Sequence, residues 1–219
     1  KWTKVSAIGN HVLGIRADGT LWAWGTNDYG QLGDGTTVNR PTPVQIGTDN
    51  KWLELGGTTN NSYALKSDGT LWAWGLNTFG QLGDGTTTNK LSPVQVGTDN
   101  DWVSITYGAR ALKSDGSLWA WGTGFLGNGV QTTTPIQLTP LKIGTDTWVS
   151  ISLAAGGTTF GVKTDGSMWA WGSNASGQVG NGTTISQASP VQINSAPNTW
   201  LTVSAGATYS VAVKSNGTL

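Results

Sequence analysis

Four times the chain writes W-A-W-G, preceded by Leu or Met, directly after an Asp-Gly pair and a Thr or Ser: LWAWG at 21–25, 71–75 and 118–122, and MWAWG at 168–172. Such self-similarity constrains the fold more than any single residue. A unit of this size cannot bury its apolar face alone and must stack on its neighbours. The first Trp of each copy, Trp22, Trp72, Trp119 and Trp169, sets spacings of 50, 47 and 50 residues. A second marker keeps the same beat: Trp2, Trp52, Trp102, Trp148 and Trp200 begin related segments (WTKVS, WLELG, WVSIT, WVSIS, WLTVS). The 219 residues therefore read as one repeat-built domain, with copies at about 2–51, 52–101, 102–147 and 148–199 and a partial copy at 200–219.

One copy reads as four short strands. In the second, SYALK at 62–66 alternates, Asp68-Gly69 follows, and TLWAW runs over 70–74. Two β-prone runs joined by Asp-Gly predict a hairpin with a two-residue type I′ turn. Asp18-Gly19, Asp115-Gly116, Asp165-Gly166 and Asn216-Gly217 repeat that signal. A loop N-x-x-G-Q-L-G-D-G comes next, intact at 27–35 and 77–85 and as NASGQVGNG at 174–182. P-V-Q-I or P-V-Q-V then predicts a third strand, with Pro where a missing N–H is tolerated. The Trp-x-x-Val/Leu segment that follows predicts a fourth. No stretch sustains a helical apolar period. Four strands in roughly 50 residues is the size of one propeller blade. The two Trp of W-A-W share one strand face and the small Ala takes the other. Wide rings against small side chains let neighbouring blades interlock, so all eight W-A-W indoles are expected to be mostly buried. The expected fold is an all-β propeller of four-stranded antiparallel blades.

Composition removes several function classes. Twelve basic residues balance twelve acidic ones, and only 11% of residues are charged. That leaves no electrostatic footprint for nucleic acid. No apolar run reaches the roughly 20 residues of a membrane-spanning helix. The lack of Cys excludes disulfides and thiolate metal sites. Low charge with abundant Thr, Asn, Gly and Trp resembles secreted bacterial repeat proteins. An extracellular or cell-surface location is the corresponding expectation.

Nothing assembles into a catalytic constellation. His11 is the only His and has no nucleophile pattern beside it; Glu54 is the only Glu. Asp18, Asp68, Asp115 and Asp165 are hairpin residues, and Asp34 and Asp84 sit in Gly-Asp-Gly turns, where backbone preference explains them. The G-x-L-G-D-G loops lack the ligand spacing of calcium loops. No Gly-rich phosphate loop with Lys-Ser/Thr is present. The expectation is no enzyme, no metal and no cofactor.

With these residues laid out, S-Y-A-L-K-S-D-G-T-L-W-A-W-G at 62–75, N-T-F-G-Q-L-G-D-G-T at 77–86 and the following P-V-Q-V resemble the repeat of the regulator-of-chromosome-condensation family. The resemblance covers essentially the whole chain. It implies a seven-bladed propeller, of which about four blades are present, and protein binding through loops on one face. Roles in that family range from exchange factors for small GTPases through ubiquitin-ligase and channel-associated domains to bacterial β-lactamase inhibitors, and the fold alone does not choose among them. The family often carries a His seven residues before the turn. Here those positions hold His11, Asn61, Gly108, Thr158 and Tyr209. No inserted hairpin resembles the wedge of the family's nuclear exchange factor. The third copy shortens its loop to TGFLGNG at 123–129 and follows it with a Thr-rich stretch at 132–139.

Positions that differ between copies are the recognition candidates. Five residues before the turn stand Leu13, Tyr63, Arg110, Phe160 and Val211. In the loops, Tyr29 and Phe79 match Ser176, with Phe125 read at the matching place of the short copy. Two readings are open for Tyr29, Phe79 and Phe125: each ring covers its own Gly-rich turn, or the three form an aromatic arc on one rim, joined by Tyr63, Arg110 and Phe160 as binding residues. The function expected is a protein-binding scaffold. The alternatives are a carbohydrate-binding or adhesive module, which needs exposed Trp platforms for a glycan, and a self-associating structural element. Because the final copy repeats the opening segment, the domain is expected to be an incomplete ring that other chains or further sequence complete.

Overall fold

The computed structural model describes residues 1–193, 199–205 and 210–218, all of them strand, turn or loop. The first sheet joins β1 (Trp2–Ile8), β2 (His11–Arg16), β3 (Leu21–Gly25) and β4 (Arg40–Gln45) in that order. The second joins β5 (Trp52–Thr58), β6 (Asn61–Lys66), β7 (Leu71–Gly75) and β8 (Lys90–Gln95). The third set is β9 (Trp102–Ile105), β10 (Arg110–Lys113) and β11 (Ser117–Phe125), and the fourth holds β13 (Thr158–Lys163), β14 (Met168–Gly172) and β15 (Gln187–Gln192). These two sets share one long strand, β12 (Gln131–Leu153). Its first part pairs with β11, as in Trp119↔Lys142, and its last part with β13, as in Trp148↔Lys163. A hairpin of β16 (Trp200–Ala205) and β17 (Ser210–Lys214) follows.

Two expectations are corrected. The Trp-x-x-Val/Leu segment is not the fourth strand of the preceding copy. It is the first strand of its own sheet, as in Trp52↔Lys66. The P-V-Q segment takes the outer edge, where Pro43 and Pro93 need no ladder donor. Neighbouring first strands lie close together, and Lys4 on β1 pairs with Glu54 on β5 at 2.6 Å. The turn type also differs. Arg16 N donates to Thr20 O at 3.1 Å and Gly19 N to Arg16 O at 2.9 Å, which is a three-residue loop closed by a Gly bulge. Positive φ falls on Gly19, Gly69, Gly116, Gly166 and Gly217, between 78° and 82°, and not on the Asp or Asn before them. Asp is there for its side chain. Asp68 Oδ1 accepts from the Thr70 amide and hydroxyl, and Thr70 Oγ1 in turn accepts from Trp72 Nε1 at 2.9 Å. The D-G-T/S-x-W signature is this relay.

Gly69 has a second duty. A Cβ there would overlap the carbonyl oxygen of Asn100, because the incoming linker crosses at that point. At Gly217, with φ +82°, a Cβ would meet nothing within 4 Å. Gly69→Ala is expected to destabilise by about 2–3 kcal/mol and Gly217→Ala by about 1 kcal/mol, since only the first adds a backbone clash to the strain. Urea unfolding of both variants checks this; equal losses would show that the linker yields freely.

The core lies between sheets. Trp52, Trp72 and Trp74 pack on Leu13, Ile15, Leu21 and Ala23 of the first sheet. Trp102, Trp119 and Trp121 pack on Tyr63, Leu71 and Ala73 of the second, and Trp148, Trp169 and Trp171 on Leu118, Ala120 and Leu126 of the third. Trp74, Trp121 and Trp171 are fully buried. Trp22, Trp24, Trp72, Trp119 and Trp169 are half-buried, so full enclosure belongs to the second indole of copies two to four. A basic residue sits over the remaining aromatic surface. Lys66 Nζ stands 4.7 Å from the Trp52 ring centre and 3.6 Å from Trp72, and pairs with Asp49 at 2.7 Å. Lys113 and Lys163 repeat this arrangement with Asp99 and Asp146. Each blade thus carries its own cation–π clamp.

Candidate functional site: the loop rim

Strand direction puts the turns after β1, β5, β9 and β12 and the long loops after β3 and β7 on one rim. Thr26 N donates to Asn10 O at 3.0 Å and Leu76 N to Asn60 O at 2.9 Å, tying loop to turn. Each full loop is organised around one Asn. Asn77, fully buried, donates from Nδ2 to Asp84 Oδ1 and to the carbonyls of Thr86 and Thr88, at 3.0 to 3.2 Å. Its Oδ1 accepts from Leu82 N at 2.9 Å. Asn27 makes the same set, and Asn174 does so with Asn181 in place of the Asp. The Asp of Gly-Asp-Gly is also more than a turn residue, since Asp34 binds Arg40 at 2.6 Å and Asp84 binds Lys90 at 3.2 Å. Burial raises the Asp84 pKa, but hydrogen bonds from Thr86 and Lys90 outweigh it and hold the carboxyl below its ordinary value.

On these braced loops two predicted residues stand out of the surface. Tyr29 is 39% exposed and Phe79 53%. Their backbone amides are pinned by Gln31 Oε1 at 2.9 Å and Gln81 Oε1 at 2.7 Å. Phe125 does not belong with them. Leu126 and Gly127 match Leu82 and Gly83: both Leu are fully buried, and both Gly lie against the indole of the next sheet. Phe125 therefore occupies the place of Gln81, is half-buried, and the short loop has lost the segment that would carry an aromatic. The arc is a pair, Tyr29 and Phe79.

Tyr63, Arg110 and Phe160, also read as binding residues, are buried at 0%, 4% and 5% exposure. They line the seam toward the following blade, and the rings of Tyr63 and Phe160 are packed within it. Tyr63 packs edge-on against Trp121, ring centres 6.1 Å apart, and its hydroxyl donates to Gln81 O at 2.6 Å. Val211, at the same position of the last hairpin, is 45% exposed, and Tyr209 lies outside the described residues.

Sequence reasoning missed the loop carbonyl as a shared acceptor. Gln31 O accepts from Trp74 Nε1 at 2.9 Å and from Ser62 Oγ at 2.7 Å. Ser62 Oγ also meets His11 Nε2 at 2.8 Å. Since the Ser62 proton goes to Gln31, the neutral ring donates from Nε2. Burial lowers the His11 pKa from 6.5 to about 4, against a small opposing effect of the Thr59 backbone. The unfolded chain then binds more protons between those values. Stability is complete above pH 6.5 and falls as the pH drops toward 4, by about 2–3 kcal/mol. His11→Asn, with the residue found at this position in the second copy, is expected to remove that slope. Chemical denaturation at pH 7 and pH 4.5 measures it; an unchanged slope would show that other groups carry it.

No group of three or more His, Cys, Asp or Glu that could hold a metal ion occurs among the described residues. Among the described residues no helix is long and apolar enough to cross a membrane.

Comparison with known proteins agrees with this geometry. The family model described as the regulator of chromosome condensation (RCC1) repeat matches residues 18–60, 68–111 and 165–213, and a second model of that repeat matches 2–31. The unmatched stretch contains the short loop and the long strand β12. Human WBSCR16 superposes with a TM-score of 0.83 at 21% identity, over 98% of this chain and 58% of that one. Prp20p from Saccharomyces cerevisiae, described with its binding to Gsp1p and histones, gives 0.82 at 21% over 97% and 55%. Yeast RCC1 (Prp20) bound to Kap60 gives 0.82 at 21% over 98% and 54%. The chain spans a little over half the length of these structures. The interlocking Trp strands, the Asn-centred loops and these matches together make the chain a member of the regulator of chromosome condensation (RCC1) repeat family, with the fold of its β-propellers.

Proposed function

We propose that the chain is a non-enzymatic scaffold that binds a protein partner through the loop rim, with Tyr29 and Phe79 as anchors. The observation that carries this reading is the contrast within each loop. The ring is exposed, while the Asn two residues before it is fully buried and holds the backbone fixed. A pre-positioned aromatic loses little entropy on binding, and such rings dominate interface energies. The yeast neighbours that share this fold are described with protein partners: Gsp1p, histones and Kap60. An extracellular or cell-surface setting fits the low charge and belongs to the same proposal. The glycan alternative needs exposed Trp platforms, and Trp74, Trp121 and Trp171 are enclosed.

The test is affinity capture from the native host with wild type, a Tyr29→Ser/Phe79→Ser double variant and a Leu53→Ser/Val103→Ser control on the first strands. The reading expects proteins captured by wild type and control and lost at least tenfold with the double variant, about 1.4 kcal/mol or more. Equal capture by all three would overturn it.

A second reading, completion by further blades of the same kind, rests on the first sheet. Trp2 is 37% exposed, whereas Trp52, Trp102 and Trp148 are 6%, 3% and 3%. An open face of this sort favours association. Light scattering tests it: concentration-dependent assembly is expected, and a compact monomer at all concentrations would contradict it.

A further inference from the structure

Across the four sheets the seam position holds Leu13, Tyr63, Arg110 and Phe160, and only Arg110 is charged. Its Nη2 donates to Phe125 O at 2.6 Å, the bond that Tyr63 makes to Gln81 O at 2.6 Å. A neutral hydroxyl therefore satisfies this socket. The guanidinium adds a charge and further donors. Its Nε has no partner, although the side chain is buried. None of the ion pairs among the described residues includes it. Residues 194–198 (NSAPN), 206–209 (GATY) and 219 contain no Asp or Glu, so the undescribed segments hold no side-chain counter-ion either. Burial disfavours its charged form and lowers its pKa to about 10. An unpaired buried charge is costly, and stability alone would place an apolar or hydroxyl residue here.

The rim around Arg110 is also the irregular one. In the other sheets an amide of the long loop closes on the first turn: Thr26 on Asn10, Leu76 on Asn60 and Ser173 on Gly157. No counterpart closes the third sheet among the described residues. Ala109, next to Arg110, has φ +30°, the one non-Gly residue there in the left-handed region. A Cβ at Gly25, Gly75 or Gly172 would collide with the turn carbonyl, whereas one at Gly122 would meet nothing closer than 3.7 Å and one at Gly124 nothing within 4 Å. Tyr107 is 39% exposed at the same turn. Strain, an opened rim and an unpaired cation thus coincide in one blade.

We infer that Arg110 anchors a carboxylate-binding notch in the rim of the third blade and takes an Asp or Glu side chain of a protein partner. The inference rests on the scaffold reading and names the chemistry that its partner brings. A carboxylate pairs with the guanidinium fork through two charge-assisted hydrogen bonds. Segments 105–110 and 122–130 hold no second Lys or Arg, which matches one negative charge rather than a phosphate dianion.

Formate is the probe. In a proton–nitrogen correlation spectrum of the intact chain, the Arg110 Nε–H resonance is identified by its loss in Arg110→Tyr. The expected result is a saturable shift of that resonance with sodium formate and none with sodium chloride at equal ionic strength. Formate is also expected to raise the unfolding midpoint of wild type and not that of Arg110→Tyr, which keeps the carbonyl bond as Tyr63 does. A resonance that formate leaves unmoved, or that chloride moves equally (an adventitious ion only), would overturn the notch. Should Arg110→Tyr fail to fold, Arg110→Met identifies the resonance and the wild-type titration still decides. The titration needs no partner. A null titration with intact Tyr29/Phe79-dependent capture rejects the notch alone, and a saturable shift without such capture rejects the scaffold alone.

Discussion

Trp121→Ala is expected to cost about 3–5 kcal/mol, the range for emptying a large buried aromatic site. The indole is 1% exposed and sits between the second and third sheets, against Ala73 and Leu82. It faces Tyr63 edge-on and donates to Gln81 O at 2.6 Å. Gly83 is glycine because a Cβ there would come within 2.9 Å of this ring. Two hydrogen-bonded sheets cannot close over the space the ring leaves, so the cavity persists. Trp24 is the control. It occupies the same position in the first sheet but is half-buried, and Trp24→Ala is expected to cost about 1–2 kcal/mol. Urea denaturation read by circular dichroism gives both values. Equal losses would mean that inter-blade burial does not set the energetics.

The second large effect is expected from Asn77→Ala, at about 3–4 kcal/mol. The substitution removes no apolar packing. It strands the Leu82 amide and the carbonyls of Thr86 and Thr88 inside the loop, and buried groups without partners cost about 1–3 kcal/mol each, less what water recovers. The loop is expected to loosen as a unit, so the Phe79 amide loses its hydrogen-exchange protection with the rest of 76–89. Thermal unfolding together with exchange at that amide checks it. A drop below about 1 kcal/mol with the amide still protected would mean that the Asn is not the organiser.

How far the sequence was legible follows from what each signal encodes. The W-A-W repeat announces interlocking sheets because alternation alone sets which face each side chain takes. It cannot say which sheet claims the Trp52 strand, since both neighbours offer an edge, and only the pairing Trp52↔Lys66 decides. Asp-Gly suits both a two-residue turn and a three-residue turn with a Gly bulge, and the strand lengths on either side look alike. Variation at Tyr63 and Phe160 reflects different packing across each seam, and a local pattern does not reveal which strand face meets the next blade. Phe125 was misplaced because the short loop lost the residues between its Gly and the Gln position, leaving only Leu126 and Gly127 as guides. One further signal stands in the sequence: Arg16, Lys66, Lys113, Lys163 and Lys214 stand two residues before every turn Asp or Asn. A basic residue at a fixed place among paired Trp is the mark of the clamp found between the rings.

The central claim is that the loop rim recognises a protein partner. Hydrogen–deuterium exchange of the chain, alone and with a captured partner at saturating concentration, tests it most directly. New protection is expected in peptides covering 26–39 and 76–89, with the Asp-Gly turns at 18–19 and 68–69 and the linkers at 46–51 and 96–101 unchanged. Protection of those turns and linkers with the loops unaffected would place recognition on the opposite face and contradict it.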